Sequence, residues 1–285
     1  MIKHYFQLVR IPGIFTAFSN ILVGFFLVQE SYVNLEFIIP LLLTSGFLFL
    51  AGMIFNDYFD YELDKKERPS RPLPSGAISK KSAFFLGVIF LFIANISSSL
   101  VGVQSLMISF LMTLIILSYD FRLKQIPILG ILSLSTIRFL NVILGASIIL
   151  FDIQIIQYAI PIGLFVGGIS ILAKTETSFS SEKTKFINLI LIFATLIYTL
   201  IIILKNFEII SLIFLSIFSI SVFFPFFSRK NVDTNQIQKK VTFQLLAIII
   251  LDATLISTVS DISVALLTAS LYIPSYLITR KMYLS

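Results

Sequence analysis

Apolar stretches of about 20 residues recur along the whole of this 285-residue chain, separated by short polar segments. A stretch of that length crosses the hydrocarbon core of a bilayer as an α-helix, because a backbone in lipid must satisfy its hydrogen bonds internally. Charged residues make up 13% of the chain, about half of their share in soluble domains. The sequence therefore predicts an all-α, polytopic membrane bundle that forms a single domain over residues 1–285.

The apolar stretches predict ten transmembrane helices. The candidate spans are 11–29, 36–55, 82–100, 103–119, 128–150, 156–173, 186–204, 208–227, 241–259 and 262–279. The last two are separated only by Ser260 and Asp261, so nine spans remain an alternative. The first stretch has no small-residue cleavage site, so we predict that it is the first span rather than a removed signal.

The basic residues lie almost entirely on one side of these spans. When the spans are threaded alternately, every Lys and Arg lies on the side of the N-terminus except Arg138, inside a span, and Lys205. Positive residues accumulate in cytoplasmic loops, so this side and its long 56–81 loop are predicted to face the cytoplasm at the cell membrane. A basic rim of this kind also attracts anionic lipid headgroups.

Cysteine is absent from the chain, and histidine occurs once. The chain has no cysteine, which excludes disulfides, thiolate metal sites and a cysteine nucleophile. Its only histidine, His4, precedes the first span, which excludes histidine catalysis inside the membrane.

The densest charge follows the second apolar stretch, in residues 56–76. Asp57, Asp60 and Asp64 have the spacing i, i+3, i+7, which puts three carboxylates on one face of a continuing helix. Carboxylates at a membrane surface suit a divalent cation such as Mg²⁺, which prefers oxygen ligands and substrate phosphates. The blander interpretation is a solvated helix end whose acids balance nearby basic residues.

Basic and amide side chains surround these acids. Asn56 offers an amide oxygen, and Arg68 and Arg71 can bind phosphate oxygens in a bidentate manner. The prolines and Gly76 that follow rule out regular helix, so we expect an ordered loop that can act as a lid.

Arg138 and Asn141 lie inside the fifth span, one turn apart, and Asn20 lies inside the first. An intramembrane arginine is expected to face the bundle interior, where it pairs with an acid or an anionic ligand. One interpretation is that Arg138 holds such a ligand, and the other is a structural ion pair. Asn20 can line the same cavity or be structural, and Asp252 in the ninth span is interpreted as structural or as a sign that the span is tilted.

The motif Asn56-Asp-x-x-Asp-x-x-x-Asp64, followed by Arg68-Pro-x-Arg-Pro-Leu-Pro-Ser-Gly76, closely resembles the first aspartate motif of the UbiA superfamily of intramembrane prenyltransferases. Tyr119-Asp120-x-x-Leu-Lys124 resembles the family's segment after the fourth helix. The resemblance implies a helical bundle around a central cavity, with Mg²⁺ and a prenyl diphosphate at its cytoplasmic end.

The resemblance, the polar residues inside the spans and the charged segment after the sixth span together give the expected site residues. Catalytic roles fall to Asp57, Asp60, Asp64 and Lys124. Metal ligands are expected at Asp57, Asp60, Asp64 and Glu176. Substrate contacts are expected at Asn20, Asn56, Arg68, Arg71, Tyr119, Asp120, Arg138, Asn141 and Lys174.

The chain departs from the family in one place. A second aspartate-rich motif normally follows the sixth helix, but residues 173–182 contain no aspartate. Glu176 is a substitute ligand, and Lys174 a substitute for the charge of a cation. A site with one metal, and a chain that has lost catalysis, both fit this departure.

The expected reaction is Mg²⁺-dependent transfer of a prenyl group from an allylic polyprenyl diphosphate to an aromatic or lipid acceptor, with release of pyrophosphate. The expected partners are the prenyl diphosphate, the acceptor and membrane lipid, and no nucleic acid. The alternative is a UbiA-like protein without transfer activity that acts as an isoprenoid carrier, transporter or scaffold.

Overall fold

The structure, a computed structural model, describes residues 2–29, 34–150, 152–174, 182–206, 208–224 and 234–280. These residues form helices joined by turns and loops, and no β-strand occurs among them. The helices are α1 (Ile2–Leu8), α2 (Ile14–Val28), α3 (Leu35–Phe59), α4 (Tyr61–Glu67), α5 (Lys80–Val101), α6 (Val103–Phe121), α7 (Pro127–Gly145), α8 (Ile153–Lys174), α9 (Glu182–Lys205), α10 (Ile209–Phe223), α11 (Thr234–Ile256), α12 (Ile262–Ser270) and α13 (Tyr272–Thr279).

Eight helical segments within the described ranges are long and apolar enough to cross a membrane, with α12 and α13 counted as one. Two further helices complete the bundle: α10 is shorter, at 15 residues, and α11 begins in a polar segment. Backbone turns at residues 257–261 separate α11 from α12, which then packs against it. The prediction of an all-α membrane bundle is confirmed. The apolar residues 241–279 form two segments, α11 and then α12 with α13, rather than one.

The interior of the bundle is built around α11. Every residue from Leu246 to Thr258 is buried, and α11 packs against α2, α8 and α10. At the periphery, α5 turns large apolar side chains such as Phe92 and Leu100 outward. Exposed apolar side chains on helices of this length suit contact with lipid tails.

A close crossing joins α2 to α7. A Cβ atom added at Gly24 would overlap the carbonyl oxygen of Val142, and one added at Gly145 would overlap that of Ile21. Two glycines on facing helices let the backbones approach more closely than any larger residue permits. This crossing fixes how the polar side chains of the two helices meet.

The charged segment after α3 is ordered. As predicted, helix continues to Glu67, but it breaks at Asp60, which separates α3 from α4. The proline-rich loop then folds back, burying Leu73 and Ile78 in a small apolar cluster with Leu8. The Ser79 side chain accepts a hydrogen bond from the backbone N–H of Ser82 in the first turn of α5, so the loop ends in a capped helix.

Candidate active site

Acidic and basic side chains from four parts of the chain meet at one end of the bundle, where α3 and α6 end and the first turn before α2 begins. We call this group the mouth cluster. It consists of Arg10, Asn56, Asp57, Asp60, Asp64, Arg71, Asp120 and Lys124.

Asp57 is the centre of the mouth cluster. Its Oδ1 lies 3.2 Å from Nη2 of Arg10 and 3.4 Å from Nη1 of Arg71. The same Arg71 nitrogen donates to Oδ2 of Asp64 at 2.6 Å. Asp57 and Asp64 are both buried, so each carboxylate needs these cations close at hand.

Asp60 lies on the other side of the mouth cluster. Its Oδ1 forms an ion pair with Nζ of Lys124 at 2.6 Å, in the short 3-10 turn after α6. The helix break at Asp60 allows this ion pair, because an unbroken helix would have kept the Asp60 carboxylate on the same face as Asp57 and Asp64. The expected single face of three acids is therefore replaced by a pair and a separate third carboxylate.

The end of α6 adds a fourth carboxylate. Asp120 is buried and accepts a hydrogen bond from Nδ2 of Asn56 at 3.2 Å. Tyr119, the preceding residue, is half-buried. The Asn56–Asp120 contact joins the two predicted motifs, which are 64 residues apart in sequence.

The sequence interpretation missed Arg10, which contributes a cation to the mouth cluster. Its backbone has φ 45° and ψ 53°, a left-handed conformation that costs about 1 kcal/mol or more in a non-glycine residue. Burial lowers the pKa of its guanidinium, and Arg71 adds to this effect while Asp57 opposes it. A single arginine just before the first span was the only signal available in the sequence.

Arg68 ends α4 and is half-buried. Its charge is close enough to Arg10 to repel it, but within the described part of the chain it forms no ion pair with the site acids. Arg71 is thus the arginine of the motif that directly contacts carboxylates.

A second polar group lies inside the membrane span, at the crossing of α2 and α7. We call it the deep cluster, and it consists of Thr16, Asn20, Arg138, Asn141 and Asp252. All of them except Arg138 are less than 9% exposed. Sequence interpretation named Asn20, Arg138 and Asn141 as substrate contacts and Asp252 as structural, and the structure adds Thr16.

Arg138 donates from Nη1 to Oδ1 of Asn20 at 3.2 Å and from Nη2 to Oγ1 of Thr16 at 2.9 Å. Asn20 in turn donates from Nδ2 to Oδ2 of Asp252 at 2.8 Å. Asn141 donates to the backbone carbonyl of Ala17 at 2.8 Å. The arginine therefore has an acid in its vicinity, reached through an asparagine.

The two clusters are separate. The guanidinium of Arg138 lies over the ring of Phe49, 5.7 Å from its centroid. Phe49 is eight residues before Asp57 on α3, which corresponds to about 12 Å along the helix. No hydrogen bond or ion pair joins the two clusters among the residues that the structure describes.

Two predicted residues cannot be assessed in the structure. Glu176 lies in 175–181, outside the described residues, and Lys174 is described only as the last residue of α8. The expected second ligand segment therefore remains a prediction from sequence.

The donor chemistry of the mouth cluster fits Mg²⁺. Carboxylate oxygens of Asp57 and Asp64 both lie within 3.4 Å of one nitrogen of Arg71, and Mg²⁺ prefers oxygen ligands with phosphate or water completing its shell. As the side chains stand, no group of three acids, histidines or cysteines in the described ranges can hold a metal alone. A metal ion at this place would need phosphate or water oxygens as further ligands.

A polar cavity of about 1340 Å³ lies at the opposite end of the bundle. Tyr158, Asn206 and Thr258 are joined by hydrogen bonds in its wall. None of the predicted site residues lines it, so the cavity and the acidic motif occupy different ends of the molecule.

Curated relatives resemble parts of this chain. The chain is 30% identical over 160 residues to digeranylgeranylglyceryl phosphate synthase of Saccharolobus solfataricus. This aligned region covers 56% of this chain and 57% of that protein. It is 33% identical over 125 residues to the synthase of the same name from Pyrococcus horikoshii, covering 44% and 45%. The chain thus spans about half the length of the curated relatives it matches.

Solved structures resemble the whole fold. A structure described as giving insights into digeranylgeranylglyceryl phosphate synthase in membranes has a TM-score of 0.68 at 21% identity, covering 92% of this chain and 99% of that one. A UbiA homolog from Archaeoglobus fulgidus bound to GPP and Mg²⁺ has a TM-score of 0.69 at 18% identity, covering 94% and 99%. At these identities the likeness concerns the fold.

The family follows from a broader match. The model of the UbiA prenyltransferase family matches residues 17–248, which include α3 with its acidic end, the α2–α7 crossing and most of α11. Apolar helices and this match identify an integral membrane protein. The chain belongs to the UbiA prenyltransferase family.

Proposed function

We propose that this protein transfers a prenyl group from an allylic prenyl diphosphate to a lipid acceptor, with release of pyrophosphate, at the cytoplasmic end of the bundle. The observation that carries the proposal is the mouth cluster itself. Four carboxylates and three basic side chains meet there, at the surface of an otherwise apolar bundle. Paired opposite charges at this density suit a ligand that brings both anionic oxygens and a divalent cation.

The basic side chains provide the diphosphate contacts. Arg10 and Arg71 present planar guanidinium groups that can form bidentate hydrogen bonds with phosphate oxygens. Lys124 adds a third positive charge from the opposite side, and Arg68 is close enough to contribute a fourth. As the bond to carbon breaks, these cations stabilise the charge that develops on the leaving pyrophosphate.

Asp57, Asp60 and Asp64 would hold Mg²⁺, with Glu176 as a further candidate ligand. When bound, Mg²⁺ would neutralise phosphate charge and act as a Lewis acid on the leaving group. Asn56 orients the end of α3 through its hydrogen bond to Asp120. Lys174 is proposed as an additional cation near the diphosphate.

The reaction needs an acceptor oxygen, a proton acceptor and exclusion of water. The bond between the allylic carbon and the diphosphate oxygen breaks, and its electron pair leaves with pyrophosphate. An acceptor hydroxyl oxygen bonds to that carbon, and its proton goes to a base, for which Asp120 beside Tyr119 is our candidate. The loop anchored by Leu73 and Ile78 covers the mouth and limits the entry of water.

The deep cluster is proposed to contact the polar part of the acceptor through Asn20, Arg138 and Asn141. The relatives support a lipid acceptor, because two of them bear the name digeranylgeranylglyceryl phosphate synthase. The UbiA homologs solved with GPP or DMAPP and Mg²⁺ support the allylic diphosphate and the metal.

The proposal is tested by incubating purified protein in lipid nanodiscs with labelled geranylgeranyl diphosphate, Mg²⁺ and a panel of lipid alcohols and aromatic acids. Mass spectrometry should detect a prenylated product and an equal amount of pyrophosphate. The chelator EDTA should stop both. Absence of any product with every acceptor, together with intact diphosphate, would contradict transfer and favour the non-catalytic alternative.

That alternative has one observation in its favour. Residues 173–182 contain no aspartate, and no three acids in the described ranges are positioned to hold a metal alone. A carrier or scaffold would still bind a prenyl diphosphate but leave it unchanged. The same mass spectrometry separates the two functions.

A further inference from the structure

Asp252 is a buried carboxylate with no role in the mechanism above. It lies on the central helix α11, is fully buried, and is 232 residues from its hydrogen-bond partner Asn20. It is the only carboxylate of the deep cluster. A buried acid in a membrane span is rarely retained without a partner or a function.

The hydrogen bonds link the orientation of Asn20 and Arg138 to Asp252. Asn20 donates to Asp252, so the amide of Asn20 is oriented with its oxygen toward Arg138. Two nitrogens of Arg138 are then used by Asn20 and Thr16. The orientation of the arginine is therefore set by Asp252 through Asn20.

Asp252 also settles the charge of the deep cluster. The carboxylate and the guanidinium attract each other across Asn20, and when both are ionised their charges cancel. In a medium of low dielectric constant, a second anion near Arg138 would lack a countercharge. A ligand carboxylate is disfavoured there, whereas an uncharged polar group is not.

Oδ1 of Asp252 and Oδ1 of Asn141 form no hydrogen bond in the deep cluster, although the Ser19 side chain lies within reach of the Asp252 carboxyl. Both atoms are buried, and both can only accept hydrogen bonds. Buried acceptors without partners are costly, so a ligand that supplies O–H groups would gain by reaching them. A hydroxyl is such a group, and an ionised carboxylate is not.

We propose that Asp252 is a positioning residue that sets acceptor selectivity, so that the deep cluster takes an uncharged hydroxyl group and rejects a carboxylate. The inference rests on the proposed function and narrows its acceptor to a lipid alcohol over an aromatic acid. Removal of the carboxylate would leave Arg138 with uncompensated charge, which a carboxylate ligand could then satisfy.

The test compares two acceptors, an alkyl glycerol ether and a hydroxybenzoate, in the presence of labelled geranylgeranyl diphosphate and Mg²⁺. The wild type should favour the glycerol ether by at least about tenfold in kcat/KM, a difference of about 1.4 kcal/mol. Asp252→Asn should shift this ratio at least about tenfold toward the hydroxybenzoate, chiefly through KM. Asp252→Glu should restore much of the original preference, which a purely structural defect would not allow.

A double variant guards against simple misfolding. Arg138→Gln with Asp252→Asn removes both charges, so it should not gain affinity for the hydroxybenzoate. Asp261→Asn, at an exposed acid just before α12, is the matched control and should keep the wild-type ratio. An unchanged ratio in Asp252→Asn, or an equal gain in the double variant, would overturn the inference.

Direct binding separates this inference from the proposed function. Labelled hydroxybenzoate is titrated onto wild type and Asp252→Asn in nanodiscs without diphosphate, with thermal stability measured in parallel. Tighter binding by Asp252→Asn alone supports the inference even if no variant transfers a prenyl group. Equal binding contradicts it, whatever the result of the transfer assay.

Discussion

The mouth cluster and the deep cluster use the same types of side chain under different conditions. At the mouth, Arg71 and Lys124 keep 17% and 14% of their side chains exposed and contact carboxylates directly. In the deep cluster, Asp252 is fully buried and meets Arg138 only through Asn20. The first arrangement is open to solvent and to a diphosphate, whereas the second lies among α2, α7 and α11 inside the membrane span.

This difference separates a site where ion pairs can be exchanged from one where the charges are fixed in place. The basic side chains at the mouth keep part of their surface in solvent, and Asp57 has two basic partners, so a phosphate ligand can replace one of these contacts at small cost. A buried, hydrogen-bonded pair is strongly destabilised when one partner is removed, because the other charge stays behind. We therefore expect substitutions at the mouth to impair function first, and substitutions in the deep cluster to impair stability and selectivity.

The largest expected effect is at Asp57. Asp57→Asn should lower Mg²⁺-dependent pyrophosphate release about 10³-fold, or about 4 kcal/mol, because it removes a proposed metal ligand and the carboxylate that pairs with Arg10 and Arg71. Phosphate release after added pyrophosphatase measures this rate. Glu62→Gln, at an exposed acid on α4, is the matched control and should retain activity. Full activity in Asp57→Asn would remove the mouth cluster from the reaction.

The next effect distinguishes the clusters by stability. Asp252→Asn should lower the free energy of unfolding by about 3 kcal/mol, because it leaves the charge of Arg138 uncompensated in the bundle. Arg71→Gln should lower the free energy of unfolding less than Asp252→Asn does, because Arg10 still pairs with Asp57 and the mouth keeps contact with water. Unfolding in mixed micelles with increasing SDS, followed by circular dichroism, compares them. Equal losses for the two variants would contradict the assigned difference between the clusters.

The crossing of α2 and α7 offers a packing test of the deep cluster. Gly145→Ala should destabilise the protein by about 1–3 kcal/mol, because its Cβ would overlap the backbone oxygen of Ile21. Gly52→Ala is the control, because its Cβ would lie 3.4 Å from Cγ2 of Ile116, an ordinary contact. Thermal melting in detergent should rank the two. A harmless Gly145→Ala would mean that the helices can separate without loss.

The smallest effect concerns an exposed contact beside the mouth cluster. The ammonium of Lys80 lies 4.9 Å from the ring centroids of both Tyr58 and Tyr61, which flank Asp57 and Asp60. Lys80→Gln should lower the free energy of unfolding by about 0.5–1 kcal/mol through loss of these cation–π contacts. The neighbouring Lys81→Gln is the comparison and should lower the free energy of unfolding less. A large loss of activity in Lys80→Gln would show that the charge acts on the mouth cluster itself.

Much of the mouth could be predicted because its signal is local. Asp57 at the end of α3 and Asp64 in α4 both contact Arg71, as the spacing of the motif suggests. The break at Asp60 was not predicted, because the residues around it disfavour helix only weakly and include no proline or glycine. Arg10 was missed because it meets Asp57 across 47 residues, through a backbone conformation that the sequence does not signal.

The deep cluster depends on contacts between distant parts of the chain. Arg138 was expected to need an acid, and Asp252 is the only acid well inside a candidate span. Charge balance could therefore have suggested the pair, but not the intervening Asn20 or the role of Thr16. Those follow from the glycine crossing of α2 and α7, which depends on the packed bundle rather than on either helix alone.

The most direct measurement is a calorimetric titration. A non-cleavable thiolo analogue of geranylgeranyl diphosphate is titrated onto the protein in nanodiscs, with and without Mg²⁺. The wild type should bind it at least about tenfold more tightly with Mg²⁺, and Arg71→Gln and Asp57→Asn should each lose most of that gain. Binding that is independent of Mg²⁺ and equal in all three proteins would contradict the assignment of the mouth cluster as the diphosphate site.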